Sequence, residues 1–180
     1  MRRRPRKLVV FGGVVLCFGI FASTSALAAV TWHSGPTFSL TPAGCDTDSP
    51  VCTGATASGD GSGFGNQPAV ATITVSGTAS YTCKNKGGGT APGQNPAGSS
   101  TTGSLGLGNA DHNGRGVFDF GLPGVVFTPA ATVPGTAVGC PNGNWTGINP
   151  VSNGLTSATL KITQGKTTVF GPVTLTPPAS

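Results

Sequence analysis

Few residues in this sequence of 180 could carry out chemistry. It contains no glutamate, five aspartates and two histidines. A glycosidase needs two carboxyl groups facing one bond, and Asp111 and Asp119 form the one pair worth considering. His112 could act as a general base beside Asp111, but side chains adjacent in sequence usually point apart, and no serine occupies a nucleophile elbow. We therefore predict no catalytic residue and keep a hydrolase using Asp111, His112 and Asp119 as an outlying alternative.

Metal-binding patterns are equally weak. The oxygen-rich segments Asp46-x-Asp48 and Asn109–Asn113 contain the oxygen ligands that calcium prefers. Neither has the glycine and the glutamate that an EF-hand loop places at its sixth and twelfth positions, and Asx residues commonly form turns. No two cysteines form a CxxC pair, so a zinc site is poorly supported. We predict no metal and no cofactor.

Aromatic side chains give the one positive hint of binding. Trp32, Trp145 and Tyr81 have polar-tipped rings, and exposed flat rings on a β-sandwich are suited to stacking on sugars. The competing interpretation is that Trp145 packs over a neighbouring disulfide and that Tyr81 belongs to an apolar strand face. We prefer the packing interpretation and retain Trp145 and Trp32 as candidate glycan-binding residues.

The N-terminus has the order of a secretory signal. A basic region ending at Lys7 precedes an apolar run from Leu8 to Phe21, and Ala26-Leu27-Ala28 supplies the small residues of a cleavage site. The apolar run is too short for a stable membrane span. We predict a signal peptide over residues 1–28, cleavage after Ala28 or Ala29, and a secreted, extracellular product.

Removal of this signal makes the chain formally neutral. Half of the ten basic residues leave with it, so five basic residues balance five aspartates. The basic character of the whole chain is therefore a property of the export signal. A neutral product is a poor partner for nucleic acid, and we predict none.

Period-two patterns indicate an all-β domain. From Ala71 to Cys83 the odd positions are small or apolar and the even positions are all threonine or serine, as in a half-buried strand in which Gly77 marks a bulge. Residues 158–173 read as a hairpin around Gly165-Lys166, with Ile162 opposite Val169, Leu160 opposite Gly171 and Ala158 opposite Val173. Shorter strands are expected near 29–34 and 117–127, whereas residues 41–68 and 84–116 read as loops.

The cysteines are expected to staple this domain. Cys45, Cys52, Cys83 and Cys140 remain after export, and an even count in an exported chain indicates two disulfides. Cys83 lies on the apolar face of its strand, so we prefer Cys83–Cys140 and Cys45–Cys52 among the three possible connectivities. The predicted fold is a disulfide-stapled antiparallel β-sandwich of immunoglobulin-like architecture. We divide the chain into the signal at 1–28, an N-terminal strand and cysteine loop at 29–62, and a sandwich core at 63–180.

Several segments resemble a group of small, uncharacterised secreted proteins of actinomycetes. These are Tyr81–Asn85, Gly87-Gly88, Ala91–Asn95, Cys140–Trp145, Ser157–Leu160 and Ile162–Gln164. The resemblance covers about residues 63–176. It implies an exported β-rich domain with a Cys83–Cys140 bridge, and it implies no functional residue.

Two functions are compatible with these features. The first is a non-enzymatic extracellular protein with a structural or interaction role, whose partner the sequence does not identify. The second is a module that binds carbohydrate or cell-wall glycan through Trp145 or Trp32.

Overall fold

The computed structural model describes residues 30–41, 52–65, 67–107 and 114–177. These residues form ten β-strands and a single 3-10 turn at Gly135–Val138, without an α-helix. The strands are β1 (Thr31–Thr41), β2 (Gly54–Ser62), β3 (Ala69–Lys84), β4 (Thr90–Pro92), β5 (Ala97–Gly106), β6 (Gly116–Asp119), β7 (Val125–Val126), β8 (Val133–Pro134), β9 (Thr146–Gln164) and β10 (Thr167–Leu175). The predicted signal at 1–28 lies outside the described residues. Within those residues, no helix has the length and apolar character needed to cross a membrane.

Two antiparallel sheets pack together as a sandwich, which confirms the predicted fold class. The smaller sheet has the order β1-β2-β6, and β7 pairs with β2 beyond the end of β6. The larger sheet has the order β10-β9-β3, and β4 and β5 pair with the other side of β3. β8 pairs with the first two residues of β9, whereas β10 pairs with the end of β9. Because β2 pairs with β6 and β7, the strands within 29–62 share one sheet with strands from residues 116–126.

The long strand β3 runs through the centre of the larger sheet as its alternation predicts. Ile73 and Val75 are fully buried, whereas the intervening threonines are half-exposed. Gly77 marks the predicted irregularity, because the register between β3 and β9 shifts on both sides of it. A Cβ at this position would lie 2.8 Å from the Phe127 ring and 2.5 Å from the Gly154 carbonyl oxygen. The glycine is therefore needed for close packing.

The buried side chains form two clusters along β3. The first, which we call the sandwich core, lies between the sheets and includes Ile73, Val75, Phe118 and Leu160. The second, which we call the disulfide cap, consists of Ala79, Tyr81, Cys83, Ala97 and Val138, with Ala91, Val133, Cys140 and Trp145 packed around them. The smaller sheet contributes no residue to the cap, which is closed by the segment that contains β8 and the 3-10 turn.

The interpretation of residues 41–68 as a loop is wrong for its second half, which forms β2. Alternation is present there, but the inward positions are only alanine and glycine. They are small because rings occupy the space opposite: a Cβ on Gly59 would lie 2.7 Å from the Phe118 ring, and one on Gly61 would lie 2.9 Å from Trp32. In sequence, small residues of this kind are typical of a flexible loop. They form a strand here because the facing rings supply the packing contacts.

The interpretation of residues 84–116 as mostly loop is also wrong, because β4 and the ten-residue β5 lie within it. β5 pairs with β3 in one unbroken register from Ala97–Ala79 to Gly106–Val70. Its glycine and serine content hides the strand in sequence. The long, well-formed β3 supplies the template to which it adds.

The last hairpin forms with the predicted two-residue turn but with a different register. Gly165 has φ +56° and Gln164 lies opposite Thr167, as expected. Two shifts then place Phe170 opposite Ile162, Val173 opposite Leu160 and Leu175 opposite Ala158. The predicted partners Val169, Gly171 and Val173 were therefore wrong. Pro172 cannot donate to the ladder and Gly171 has φ +76°, so the strand bulges there.

Candidate binding surfaces

The Cys83–Cys140 disulfide closes the end of the molecule that lies beyond the smaller sheet. Its sulfur atoms are 1.98 Å apart and its Cα atoms 5.7 Å apart, and the pairing is the predicted one. Cys52 is also disulfide-bonded and is buried in the sandwich core. Cys45, its predicted partner, lies outside the described residues.

Trp145 packs against the disulfide cap and is half-buried there. Its backbone carbonyl oxygen accepts a hydrogen bond from the Gly135 N–H at 3.0 Å, and its own N–H donates to the Asn142 carbonyl oxygen at 3.2 Å. Tyr81 is buried beneath the same cap, and its hydroxyl donates to the Ala130 carbonyl oxygen at 2.9 Å. Both rings thus contribute to packing, as the preferred interpretation predicted.

Trp32 joins the two sheets through aromatic contacts. Its ring makes edge-to-face contacts with Phe64, Phe118 and Phe170, with centroid distances of 5.6, 6.2 and 5.9 Å. Phe170 belongs to the larger sheet and the other rings lie on the side of the smaller one. Contacts of this geometry stabilise a core beyond the area that they bury. Trp32 therefore serves chiefly to hold the sheets together.

The residues of the outlying hydrolase hypothesis are not brought together by the described structure. Asp119 ends β6, where its Oδ1 accepts a hydrogen bond from the Gly121 N–H at 2.8 Å. Asp111 and His112 lie outside the described residues, as do Asp46, Asp48 and the whole segment Asn109–Asn113. Asp119 borders an open depression of about 200 Å³ on the smaller sheet, together with Thr37, Thr56, Ala57, Ser58, Gly121 and Leu122.

An ion pair lies on the outer side of the smaller sheet. The Arg115 guanidinium donates two hydrogen bonds to the Asp60 carboxylate, from Nε at 3.0 Å and from Nη2 at 2.5 Å. These hydrogen bonds, and then the positive charges of Arg115 and His33, lower the pKa of Asp60. The His33 Nε2 lies 3.0 Å from the Ser62 hydroxyl. The pair orients the segment that leads into β6.

The outer face of the larger sheet is lined by hydroxyl groups that pair across strands. One row crosses four strands through Thr174, Thr159, Thr74 and Thr102. Within it, the hydroxyl oxygens of Thr174 and Thr159 are 2.9 Å apart, and those of Thr74 and Thr102 are 3.1 Å apart. We call the surface formed by the following residues the hydroxyl face: Thr72, Thr74, Ser76, Ser100, Thr102, Ser104, Ser157, Thr159 and Thr174.

The smaller sheet repeats this pattern on its own outer side. Thr37 and Ser58 share a hydrogen bond of 2.9 Å, and Ser39 and Thr56 share one of 3.1 Å. Sequence reasoning identified the threonine side of β3 and the alternation at Thr159 and Thr163 in β9. The polar faces of β5 and β2 were missed because these strands were read as loops, although each has a hydroxyl at most alternate positions.

A basic depression lies at the end of β3 beside the disulfide cap. It has a volume of about 190 Å³ and is lined by Lys84, Asn85, Lys86, Asn144, Thr146 and Ile148. Two of its lining residues, Asn144 and Thr146, flank Trp145 in sequence. The depression therefore combines ammonium, amide and hydroxyl donors, whereas the Trp145 side chain packs against the cap.

Within the described ranges, no three His, Cys, Asp or Glu side chains are grouped so as to hold a metal ion. No family model matches the chain, and no significant match is found among curated proteins or solved structures. Any function must therefore be argued from these surfaces themselves.

Proposed function

We propose that this chain is a secreted, non-enzymatic β-sandwich protein with a structural or interaction role outside the cell. The hydroxyl face is the observation that carries the proposal. Its threonines and serines bond to one another across neighbouring strands, as in Thr159–Thr174 and Thr72–Ser104. Hydroxyls arranged in this way form a polar surface, with the charged Lys161 opposite Thr72, that suits contact with other extracellular molecules. Their hydrogen-bond partners are other hydroxyls and not the adjacent base that activates a nucleophile.

The disulfides support the extracellular part of the proposal. Such bonds persist in oxidising compartments and are rare in the cytosol, and both Cys52 and the Cys83–Cys140 pair are oxidised in the structure. The signal-like residues 1–28 and the resemblance to exported actinomycete proteins favour the same compartment. Expression of the full chain in an actinomycete host should yield a product in the medium whose N-terminus follows Ala28 or Ala29. Retention of the uncleaved chain inside the cells would contradict secretion.

The non-enzymatic part is tested with the secreted product itself. Incubation with a broad panel of glycoside, ester and peptide substrates should show no turnover above that of a matched mock purification. Reproducible turnover that is lost in Asp119→Asn would overturn the proposal in favour of the hydrolase alternative. A pull-down against cell-wall and membrane fractions from the same host should then identify the class of partner.

A second candidate function, glycan binding, is favoured by the basic depression. Amide and ammonium donors can bind the hydroxyls and acidic groups of a polysaccharide, and Asn85, Asn144 and Lys86 supply such donors. Trp145 itself is half-buried in the cap, so its contribution would come from the exposed part of its ring. Trp32 is largely committed to the sandwich core.

This candidate is tested by retention on insoluble chitin, cellulose and peptidoglycan. If glycan binding is correct, Lys86→Ala and Asn144→Ala each reduce the bound fraction several-fold without changing the melting temperature. Lys166→Ala is the matched control, because it removes the same charge from the hairpin turn at the opposite end of the larger sheet. No retention of the unmodified protein on any of the three glycans would end this alternative.

A further inference from the structure

Each of the two sheets has two edge strands or pairs of edge strands, and these four edges differ in how well they are protected against pairing with another strand. An unprotected edge offers a row of free N–H and C=O groups, and natural sheets block it with proline, charge, bulges or short strands. β1 contains Pro36 and two register shifts, and β10 contains Pro172 and two register shifts. The edge formed by β6 and β7 consists of strands of four and two residues. These three edges are blocked.

β5 has none of these protections. Its ten residues include no proline and no charged side chain, and its pairing with β3 has no register shift. No backbone hydrogen bond of the described residues other than those to β3 reaches residues 98–106. β5 is therefore a long, flat and uncharged edge, the type that is most competent to accept a further strand.

The register identifies the free backbone groups. The Leu107 N–H donates to the Ala69 carbonyl oxygen, so Leu105, Gly103, Thr101 and the alternate residues before them direct their backbone groups toward β3. The intervening residues direct both groups away from β3. These residues are Gly98, Ser100, Thr102, Ser104 and Gly106. Together they present five N–H and five C=O groups at the open edge.

We propose that β5 is a self-association edge at which a second copy of this chain adds its own β5 in antiparallel orientation. A two-fold axis beside Thr102 would pair Thr102 with the same residue of the second copy, Ser100 with Ser104, and Gly98 with Gly106. Because each such pair exchanges two hydrogen bonds, all ten free groups find a partner. The row Thr174–Thr159–Thr74–Thr102 would then continue into the second copy, so that the hydroxyl face doubles in width.

A second copy fits this edge for two reasons. A two-fold pairing requires one strand to be complementary to itself, and the outward residues satisfy this because small hydroxyl and glycine positions are arranged symmetrically about Thr102. Electrostatic repulsion would not oppose the contact, because β5 is uncharged and the chain without residues 1–28 is formally neutral. This inference does not depend on the proposed function, because a dimer can form whichever ligand the chain binds.

The first test compares two lysine variants by analytical ultracentrifugation of the disulfide-intact protein. The unmodified protein should sediment as a dimer that dissociates on dilution. Thr102→Lys should give a monomer, because it places two positive charges opposite each other at the two-fold axis. Thr159→Lys is the matched control: it makes the same change in the same row, two strands from the edge, and should remain a dimer. Thermal melting of both variants shows whether each still folds.

The second test locates the axis by cross-linking. Directly hydrogen-bonded residues in antiparallel strands have Cα atoms about 5.5 Å apart, a separation within the range of a disulfide. Thr102→Cys should therefore form a covalent dimer on mild oxidation, whereas Thr159→Cys should not. Amide hydrogen exchange provides a measurement that needs no variant, because the N–H groups of Ser100, Thr102 and Ser104 should exchange more slowly as protein concentration rises.

Several outcomes would overturn the proposal. The first is an unmodified protein that stays monomeric at its highest soluble concentration, which would leave the β5 edge for a different chain. The others are a dimer that survives Thr102→Lys, or one that cross-links equally well through Thr159→Cys. Each of these results would leave the proposed extracellular function untouched.

Discussion

The sandwich core and the disulfide cap cover two halves of the same strand by different means. Over the first half of β3, the smaller sheet closes the interior with aromatic rings that fit against alanines and glycines of β2. Over the second half, the described residues form no second sheet, and the Cys83–Cys140 bridge, Val138 and the segment around the 3-10 turn close it. Burial over the cap is comparable, since Ala79, Cys83 and Val138 are fully buried.

This difference shows that a covalent link can take the place of a second sheet. A sheet that lacks a second layer leaves its apolar face in water, and a short irregular segment supplies little apolar area to cover it. A disulfide stabilises such a segment mainly by restricting the unfolded chain. The cap should therefore depend on the bridge, and the core on ring packing. The predictions below test this division, beginning with the largest expected effect.

Replacing both Cys83 and Cys140 with alanine should lower the free energy of unfolding by about 4 kcal/mol, as the chain-entropy model gives for a sequence separation of 57. Urea unfolding of the variant and the unmodified protein measures the difference. Hydrogen exchange should show the amides of Val138 and Cys140 losing protection before those of β3 within the sandwich core. A loss below about 1 kcal/mol would mean that apolar packing alone holds the cap.

Trp32→Ala should lower the free energy of unfolding by about 3 kcal/mol, because it removes a large ring that contacts three other rings, one of which, Phe170, lies across the sheet interface. Trp145→Ala is the comparison in the cap. It should lower the free energy of unfolding by about half as much, because the Cys83–Cys140 bridge remains. Chemical denaturation at equal protein concentration provides both values. Equal losses for the two variants would remove the distinction between a ring-packed core and a bridged cap.

Gly59→Ala should lower the free energy of unfolding by about 1–3 kcal/mol, because its Cβ would lie 2.7 Å from the Phe118 ring and the ring must move. Gly98→Ala is the matched control in another strand, where the nearest atom to the new Cβ would be 3.8 Å away. It should be neutral or slightly stabilising, and the melting temperatures of the two variants should diverge accordingly. If Gly59→Ala left the free energy of unfolding unchanged, the inward residues of β2 would be small for a reason other than the facing ring.

Ser99→Ala should raise the free energy of unfolding by about 1 kcal/mol or less, because the Ser99 hydroxyl is buried without a hydrogen-bond partner among the described residues. Thr101→Ala is the inward-facing counterpart, whose hydroxyl donates to the Thr128 carbonyl oxygen at 3.2 Å and accepts from the Thr128 N–H at 2.9 Å. That change should be destabilising. Thermal unfolding of dilute protein measures both variants, and the changes in the free energy of unfolding should have opposite signs.

The smallest effect concerns the Asp60–Arg115 pair. Because Arg115 lowers the pKa of Asp60 in the folded state, its stabilisation is present above the ordinary carboxyl pKa and is lost as the pH falls through the folded value. Arg115→Gln should therefore destabilise the protein slightly at neutral pH and not at strongly acidic pH. An NMR titration of the Asp60 carboxyl should show its pKa rising in the variant. An unchanged pKa would contradict the role assigned to Arg115.

How far the sequence predicts the fold differs from strand to strand. β3 was predictable because Ile73 and Val75 are large apolar residues alternating with threonine, and this contrast reports burial directly. β2 has the same period, but its inward residues are as small as those of a turn, so the pattern carries no hydrophobic signal. β5 adds a further difficulty, since its inward positions include the polar Ser99 and Thr101.

The candidate surfaces show the same limit. The roles of Trp32, on a predicted strand, and Trp145, in a predicted turn, were open in sequence because an aromatic ring in either place can stack on a ligand or pack in a core. The structure assigns both chiefly to packing, because Phe64 and Phe118 surround one and the cap surrounds the other. The depression lined by Lys84, Lys86 and Asn144 could not be anticipated, because it joins residues some sixty positions apart.

The sequence by itself determined the all-β class, the alternation of β3 and the two-residue turn at Gly165, and it favoured the pairing of Cys83 with Cys140 among three connectivities. The first three depend on local chemistry, that is, on side-chain period and turn geometry. The preference for the disulfide came from the position of Cys83 on an apolar face, and the structure settled its partner. The tertiary structure decided that glycine- and serine-rich segments become β2 and β5, and that the final hairpin bulges at Pro172. Those outcomes depend on what lies opposite, because a small residue is stable in a strand only where a facing ring or a neighbouring strand supplies the missing contacts.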